Sequence, residues 1–242
     1  MSRVYSDTVL PEDSGVSQDL TLGTTGDTVQ VTSGASLNTN TIKDAGGNTI
    51  LVSDGSGNLS SLNSALSGGP ALITTNTLTG SSTYSDFTIS GTYRLYIFSI
   101  QRLWCANDGS PTGINFSDDG TNFDVTKTTT VVSAYHDEAN TQSGLTYVAT
   151  QDQKNTGNRQ NIFFSTSNQA DSNGSGTVYL FNPHTTTYYK QWYAVTSMFG
   201  DLIGERNNFI GGWLSTTDAI QKVRFDSNAG NLTGVIKMYG LG

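Results

Sequence analysis

A turn signal interrupts this chain roughly every ten residues, and that spacing restricts its fold more than any other feature. Examples are Asn107-Asp108-Gly109, Asp118-Asp119-Gly120, Asn155-Thr156-Gly157-Asn158 and Asn173-Gly174-Ser175-Gly176. Gly, Asn and Asp either accept left-handed backbone or bond it with their own side chains, so each cluster ends the element before it. The stretches between are too short for stable helices and carry no convincing helical period. Only 13% of the residues are charged and three are glutamate, so strong helix formers are scarce while Ser, Thr, Gly and Asn abound. The expected class is all-β.

From Ala71 onward the strand candidates are Phe87–Ile89, Arg94–Trp104, Gly113–Ser117, Phe123–Val132, Gly144–Thr150, Gln160–Ser165, Thr177–Phe181, Tyr188–Phe199 and Phe209–Leu214, then a closing pair. The closing pair reads as a β-hairpin: Lys222-Val223-Arg224-Phe225 alternates with period two, Asn228-Ala229-Gly230-Asn231 makes the loop, and Val235 to Leu241 returns. Arg94–Trp104 is apolar on both faces, which predicts a central strand or one lying against a neighbouring subunit.

Several of these stretches resemble a known family. The closing residues Ile220, Val223-Arg224-Phe225, Gly230-Asn231, Thr233-Gly234-Val235-Ile236 and Met238-Tyr239-Gly240 are similar to the end of jelly-roll domains in structural proteins of tailed bacteriophages, especially phages of aquatic bacteria. Tyr93-Arg94-Leu95-Tyr96-Ile97, Ile114 to Gly120 and Leu180-Phe181-Asn182-Pro183 fit the same order of elements upstream. The resemblance spans residues 75–242 and implies a virion protein without saying which part of the virion.

Residues 1–70 differ. They contain no Trp, Phe or Cys, and Tyr5 is their only aromatic. Short apolar marks such as Leu20-Thr21-Leu22, Val29-Gln30-Val31 and Ile50-Leu51-Val52 sit between Gly-rich turns. So little apolar surface falls short of the chain entropy of about 1–2 kcal/mol per residue. The segment is therefore either a flexible tether or a set of strands that pair with other chains, and its Val, Ile and Thr content with turn punctuation favours pairing. Asp44 to Leu51 followed by Asp54 to Leu59 also resembles the interwoven β-segments of trimeric phage fibre and decoration proteins. Ser67-Gly68-Gly69-Pro70 supplies the boundary. The expected organisation is an extended N-terminal β-arm, residues 1–70, serving attachment and trimerisation, followed by an antiparallel jelly-roll-like β-sandwich, residues 71–242.

Charge and chemistry narrow the function. The net charge of −8, without a Lys or Arg cluster, argues against nucleic acid as a partner. No run of about 18 apolar residues predicts a membrane helix, and Met1 to Asp7 lacks the apolar centre of a signal peptide, so synthesis in a host cytoplasm is expected. Cys105 stands alone, which excludes an internal disulfide. His136 and His184 are isolated, and Asp118, Asp119, Asp124, Asp137, Glu138, Asp201 and Glu205 sit mostly in turn contexts where Asp binds its own backbone. Asp54 to Asn58 and Asp118 to Asn122 resemble oxygen-ligand loops but lack the spacing of a calcium loop, and turn chemistry is the better reading. No catalytic residue, metal ligand or cofactor is expected.

Two sets of residues are expected to make contacts. Glu12, Asp13, Asp19 and Asp27 give the arm an acidic start suited to basic residues on a capsid. Tyr189, Trp192 and Trp213 are candidates for stacking on a glycan or filling an interface. The leading expectation is a homotrimeric capsid decoration, or cement, protein on the virion surface. It would bind the major capsid protein through its arm and project the jelly roll outward. A short trimeric tail fibre that binds a host-surface glycan is the alternative, and a polysaccharide-cleaving enzyme the third.

Overall fold

The computed structural model describes residues 41–44, 46–56, 58–62, 69–169, 171–200 and 204–242. The acidic positions Glu12, Asp13, Asp19 and Asp27 lie outside them. The chain divides into two compact units, Met1–Asn63 and Ser64–Gly242.

In the first unit, β1 (Thr41–Lys43), β2 (Thr49–Ser53) and β3 (Leu59–Leu62) form an antiparallel meander in the order β1-β2-β3. These strands pair with one another within the chain; most of residues 1–70, on which pairing with other chains was expected, lie outside the described residues. Each turn is closed by a carboxylate. Asp44 accepts the backbone N–H of Gly46 and Asn48 at 2.9 and 2.8 Å, and the Asn48 amide returns to it at 3.0 Å. Ten residues on, Asp54 repeats the arrangement with Ser56 and Asn58. Among the described side chains of this unit none is buried, and Leu59 is 59% exposed.

The second unit contains β4 (Ala71–Thr79), β5 (Tyr84–Thr88), β6 (Leu95–Cys105), β7 (Ser110–Ser117), β8 (Lys127–His136), β9 (Ser143–Tyr147), β10 (Lys154–Thr156), β11 (Gln160–Thr166), β12 (Gly174–Phe181), β13 (Lys190–Gly200), β14 (Gly204–Leu214), β15 (Lys222–Ser227) and β16 (Leu232–Leu241), with one short 3-10 turn at Ala149–Gln151. All pairings are antiparallel. One sheet runs β5-β15-β7-β11; the other runs β4-β16-β6-β12-β13-β14-β8-β10, with β9 also on β8. Within the longer sheet, β4-β16-β6-β12 is one continuous run; across the gap β5 and β15 meet β6, β7 meets β13, and β11 meets β13 and β14. Along the chain, β4, β5, β6 and β7 alternate between sheets, as do β11 with β12 and β15 with β16. This is the strand order of a jelly roll. The strands β13, β14 and β8 to β10 are additions that widen one of its sheets.

The closing hairpin expected from the sequence is not formed. Lys222–Ser227 pairs with β5 and β7 in the short sheet, whereas Leu232–Leu241 pairs with β4 and β6 in the long one. Alternation with one buried face satisfies a sheet-to-sheet crossing as well as a hairpin, so the pattern alone did not separate them. The crossing is pinned from both sides. The Cys105 thiol donates to the carbonyl of Ala229 at 2.8 Å, and Ala106 N–H donates to Asn231 O at 2.9 Å. Gly230 has φ 87°, and a Cβ there would sit 2.7 Å from the Asn107 nitrogen, so glycine is needed at this point.

Between the sheets, Phe87 and Phe225 from the short sheet meet Phe98 from the long one edge-on, with ring centroids 5.4–5.8 Å apart. Phe116 packs on Trp192 at 5.4 Å. Arg94–Trp104 is central, as its two apolar faces implied, with β12 on one side and β16 on the other. Its inward set changes phase at a bulge, from Tyr96, Phe98 and Ile100 to Leu103 and Cys105, with Arg102 at φ 51°.

Ile236 is fully buried between β4 and β6, opposite Asn76 and Ile100. Ile236→Asp should remove several kcal/mol by burying an unpaired carboxylate, enough to prevent recovery of soluble folded protein. Ile236→Ala, losing about 2–5 kcal/mol, should remain measurable by urea denaturation. Wild-type midpoints for both variants would show that the side chain is not in the core.

Candidate functional site

The widened sheet has a solvent-facing side, and the register fixes what it displays. On β14 the sequence Asn208-Phe209-Ile210-Gly211-Gly212-Trp213-Leu214 alternates, with Asn208, Ile210 and Leu214 buried and Phe209 and Trp213 exposed. Phe209 pairs with Val195 on β13 and Val132 on β8; Gly211 pairs with Tyr193 and Thr130; Trp213 pairs with Gln191 and Thr128. These positions form a three-by-three block of outward residues with Gly211 at its centre. Tyr193 is 39% exposed, Trp213 40% and Phe209 51%. Tyr193 also stacks on Tyr179 of β12, with centroids 4.6 Å apart and planes 21° apart, and Phe181 adds a second ring at 5.9 Å.

The two adjacent glycines do different physical work. A Cβ on Gly212 would lie 2.2 Å from the Thr128 carbonyl oxygen and 2.8 Å from Thr129 Cγ2, so close backbone packing excludes any side chain. A Cβ on Gly211 would meet only the Tyr193 Cβ, at 3.9 Å, an ordinary contact. Gly211 also has no positive φ. A glycine inside a strand costs roughly 0.5–1 kcal/mol against alanine and often marks a close approach by another molecule. Here its effect is a depression of about 270 Å³ lined by Thr128, Thr129, Thr130, Gly211, Gly212 and Trp213. A second depression, about 290 Å³, lies on the other side of the Tyr179–Tyr193 stack, between Tyr179 and Tyr239 over Ile97, Ser99 and Thr177.

Beneath this face the long sheet is held by polar groups. Asn208 is buried, accepts from Ser133 Oγ at 2.9 Å and donates to Ile162 O at 3.2 Å, while Thr196 Oγ1 donates to the same carbonyl at 2.7 Å. Two buried lysines flank Leu214 in register. Lys127 donates to Asn115 Oδ1 and Asn158 O, each at 2.7 Å. Lys190 donates to Thr216 O at 3.0 Å and Asp218 O at 2.6 Å. Each ammonium thus holds loop carbonyls against the sandwich.

The outer face of the short sheet is charged instead. Arg224 makes a bidentate pair with Asp86 at 2.7 and 2.8 Å and lies between the rings of Tyr84 and Phe123, 4.2 and 3.9 Å from their centroids. Phe123 was expected to begin a strand; it lies before β8, in the loop that covers this face. Arg159 pairs with Asp226 at 3.5 Å, and burial raises the Asp226 carboxyl while Arg159 opposes the rise.

Trp213 and Tyr189 are exposed, Trp213 on the aromatic face and Tyr189 in the loop before β13. Trp192 requires correction: it is 2% exposed and packs on Phe116, and its neighbour Tyr193 takes the outward place. The phase of β13 misleads because its inward set includes Lys190 and Thr196, whereas its outward set includes Tyr193, Val195 and Phe199. Phe209 and Gly211 were missed. The signal that could have found them is an exposed-parity glycine between two aromatics, two residues away on each side.

The loop carboxylates cap their own turns. Asp119 accepts the N–H of Thr121 and Asn122, both at 2.7 Å, and these bonds hold it well below the usual carboxylate range. Asp137 does the same with Gln142 and Thr141. Asp118 accepts from Thr216 Oγ1, and Glu205 from Ser197 Oγ. His136 meets Asn140 and His184 the carbonyl of Ile89, each at 3.2 Å. Among the described residues, no three His, Cys, Asp or Glu side chains gather as a metal site, and no helix is long and apolar enough to cross a membrane. No protein-family model, curated protein or solved structure matches this chain.

The buried Lys127 gives stability a pH signature. Burial pushes its pKa from 10.5 to about 8, with Asp124 and Asp226 resisting. Below the folded value both states carry the proton and the burial penalty is complete; above 10.5 neither does and it is gone. Stability should therefore rise with pH across that window, by up to about 3 kcal/mol. Urea midpoints measured through the window for wild type and Lys127→Met test this: their difference should change with pH, and a constant difference would refute it.

Proposed function

We propose that this protein is a structural component of a tailed-phage virion, a homotrimeric decoration protein that grips the capsid through its N-terminal unit and carries the jelly roll outward. The observation that carries the proposal is the strand order. Residues resembling phage jelly-roll domains lie in a chain whose sheets run β4-β16-β6-β12 and β5-β15-β7-β11. The first unit adds support. Its described strands leave Ile42, Ile50 and Leu51 only half-buried, so apolar surface remains for other subunits to cover. The net charge of −8 suits a capsid partner that presents basic residues, with charge setting register more than affinity. The role is one of assembly, with no chemical step. The alternative is a short tail fibre whose jelly roll binds a host-surface glycan; copy number discriminates the two, and a quantified gel of virions against the major capsid protein measures it.

The experiment is addition of purified protein to phage heads that lack it, followed by thermal challenge. The full chain should bind and raise the temperature at which heads break; residues 71–242 should fold yet bind and trimerise more weakly. Heads neither bound nor stabilised by the full chain would overturn the assignment. A shortened chain as firmly trimeric as the whole would remove the N-terminal unit from assembly.

A further inference from the structure

We propose that the pit over Gly211 is a binding site for a neutral sugar ring, part of an oligosaccharide lying across β8, β14 and β13. The inference goes beyond the assembly reading and does not depend on it. Three observations converge. The first is the hole itself. Gly211 has ordinary backbone, and a side chain there would meet nothing closer than 3.9 Å, so neither conformation nor packing explains the glycine. Among the described residues nothing fills the space, which stands open to a molecule from outside.

The second is the rim. Trp213 and Phe209 stand before and after the pit along β14, and Tyr193 beside it on β13, each more than a third exposed. Aromatic rings offer flat faces to the C–H faces of a pyranose, while its hydroxyls need polar partners at the edge. Thr128 and Thr130 supply hydroxyls on the β8 side and Gln191 an amide on the β13 side. Thr128 Oγ1 accepts from Asn155 N–H at 3.2 Å and keeps its own proton to donate. The volume, about 270 Å³, lies just under the range of pockets that enclose drug-sized molecules and suits a single ring.

The third is charge. None of the nine side-chain positions in the block is charged, in a chain of net charge −8. The nearest charged groups are Lys154, one strand further out beside Thr128, and Asp152, whose carboxylate holds the Tyr147 hydroxyl beside Thr130. A neutral ligand loses no ionic hydration on entering such a surface and gains no ion pair. The stacked Tyr193 and Tyr179 lead from the pit toward the depression by Tyr239, so successive rings of the same oligosaccharide have an aromatic path to follow.

The test uses the full chain and neutral probes: maltotriose, cellotriose, mannotriose, chitotriose and lactose, each at millimolar concentration. Binding is read by saturation-transfer NMR and by tryptophan fluorescence. Gly211→Thr fills the pit with a residue suited to a strand; it should keep or raise the melting temperature while weakening binding roughly tenfold or more. Trp213→Ala should weaken binding similarly. No binding by any probe, or equal binding by Gly211→Thr, would overturn the proposal. So would a change in oligomeric mass on Gly211→Thr, which would assign the pit to a second copy of the chain. None of these three results bears on whether the full chain decorates heads, so the two proposals fail separately.

Discussion

The edge-on contact among Phe87, Phe98 and Phe225 is what makes two sheets one domain. Two of the rings belong to the four-stranded sheet and one to the nine-stranded sheet. The unequal sizes then govern much of the remaining structure. At about 4.8 Å between strands, four strands span roughly half the width of eight. The last strand of the short sheet, β11, lies over β13 and β14, and buried polar groups join them there. Asn208 and Thr196 reach the carbonyl of Ile162 on β11, Ser133 donates to Asn208, and Lys127 and Lys190 reach carbonyls in the loops. Buried polar atoms cost free energy unless bonded, so these positions trade hydrophobic burial for directional contacts that fix the loops.

The same inequality leaves two unlike outer faces. On the short sheet, Arg224 fills the surface by pairing with Asp86 and lying between two rings, and the loop carrying Phe123 closes over it. That face is self-satisfied. Among the described residues no loop covers Tyr193, Phe209 and Trp213 on the long sheet, and these aromatic side chains stand partly in solvent. An apolar face retained on a strand addition outside the eight-stranded jelly roll is a feature that folding did not require, since the jelly roll closes its core without it.

The sequence made the class and the sandwich legible because both follow from turn spacing and period-two burial, which are local. Ile236, Val223 and Phe225 face inward as their alternation implied. What failed were choices between arrangements with the same local pattern. β15 and β16 each show one buried face whether they pair or cross. β13 has apolar residues on both faces, so Trp192 and Tyr193 exchanged places. β4 escaped notice because Thr74, Thr75, Asn76, Thr77 and Thr79 make it look like a loop, and a bulge at Ile73 breaks its alternation. Asn173 to Gly176 read as a turn, yet β12 begins at Gly174, where the ring of Phe163 occupies the space of a side chain. Glycine's signal is ambiguous from sequence because absence of a side chain serves turns and close packing alike.

The two units also differ in where their order comes from. In the second, tertiary burial dominates and turn chemistry only positions the crossings. In the first, the described strands are short and unburied, and the regular features are the Asp44 and Asp54 turns, each carboxylate taking two backbone N–H groups and an asparagine amide. Such turns set register well but remain in water, where a hydrogen bond contributes little net stability. Among the described residues this sheet's shape is specified by its turns rather than by a buried core. In the decoration role proposed above, contacts with other subunits would add burial to these strands, which is why shortening the chain to residues 71–242 tests that role directly.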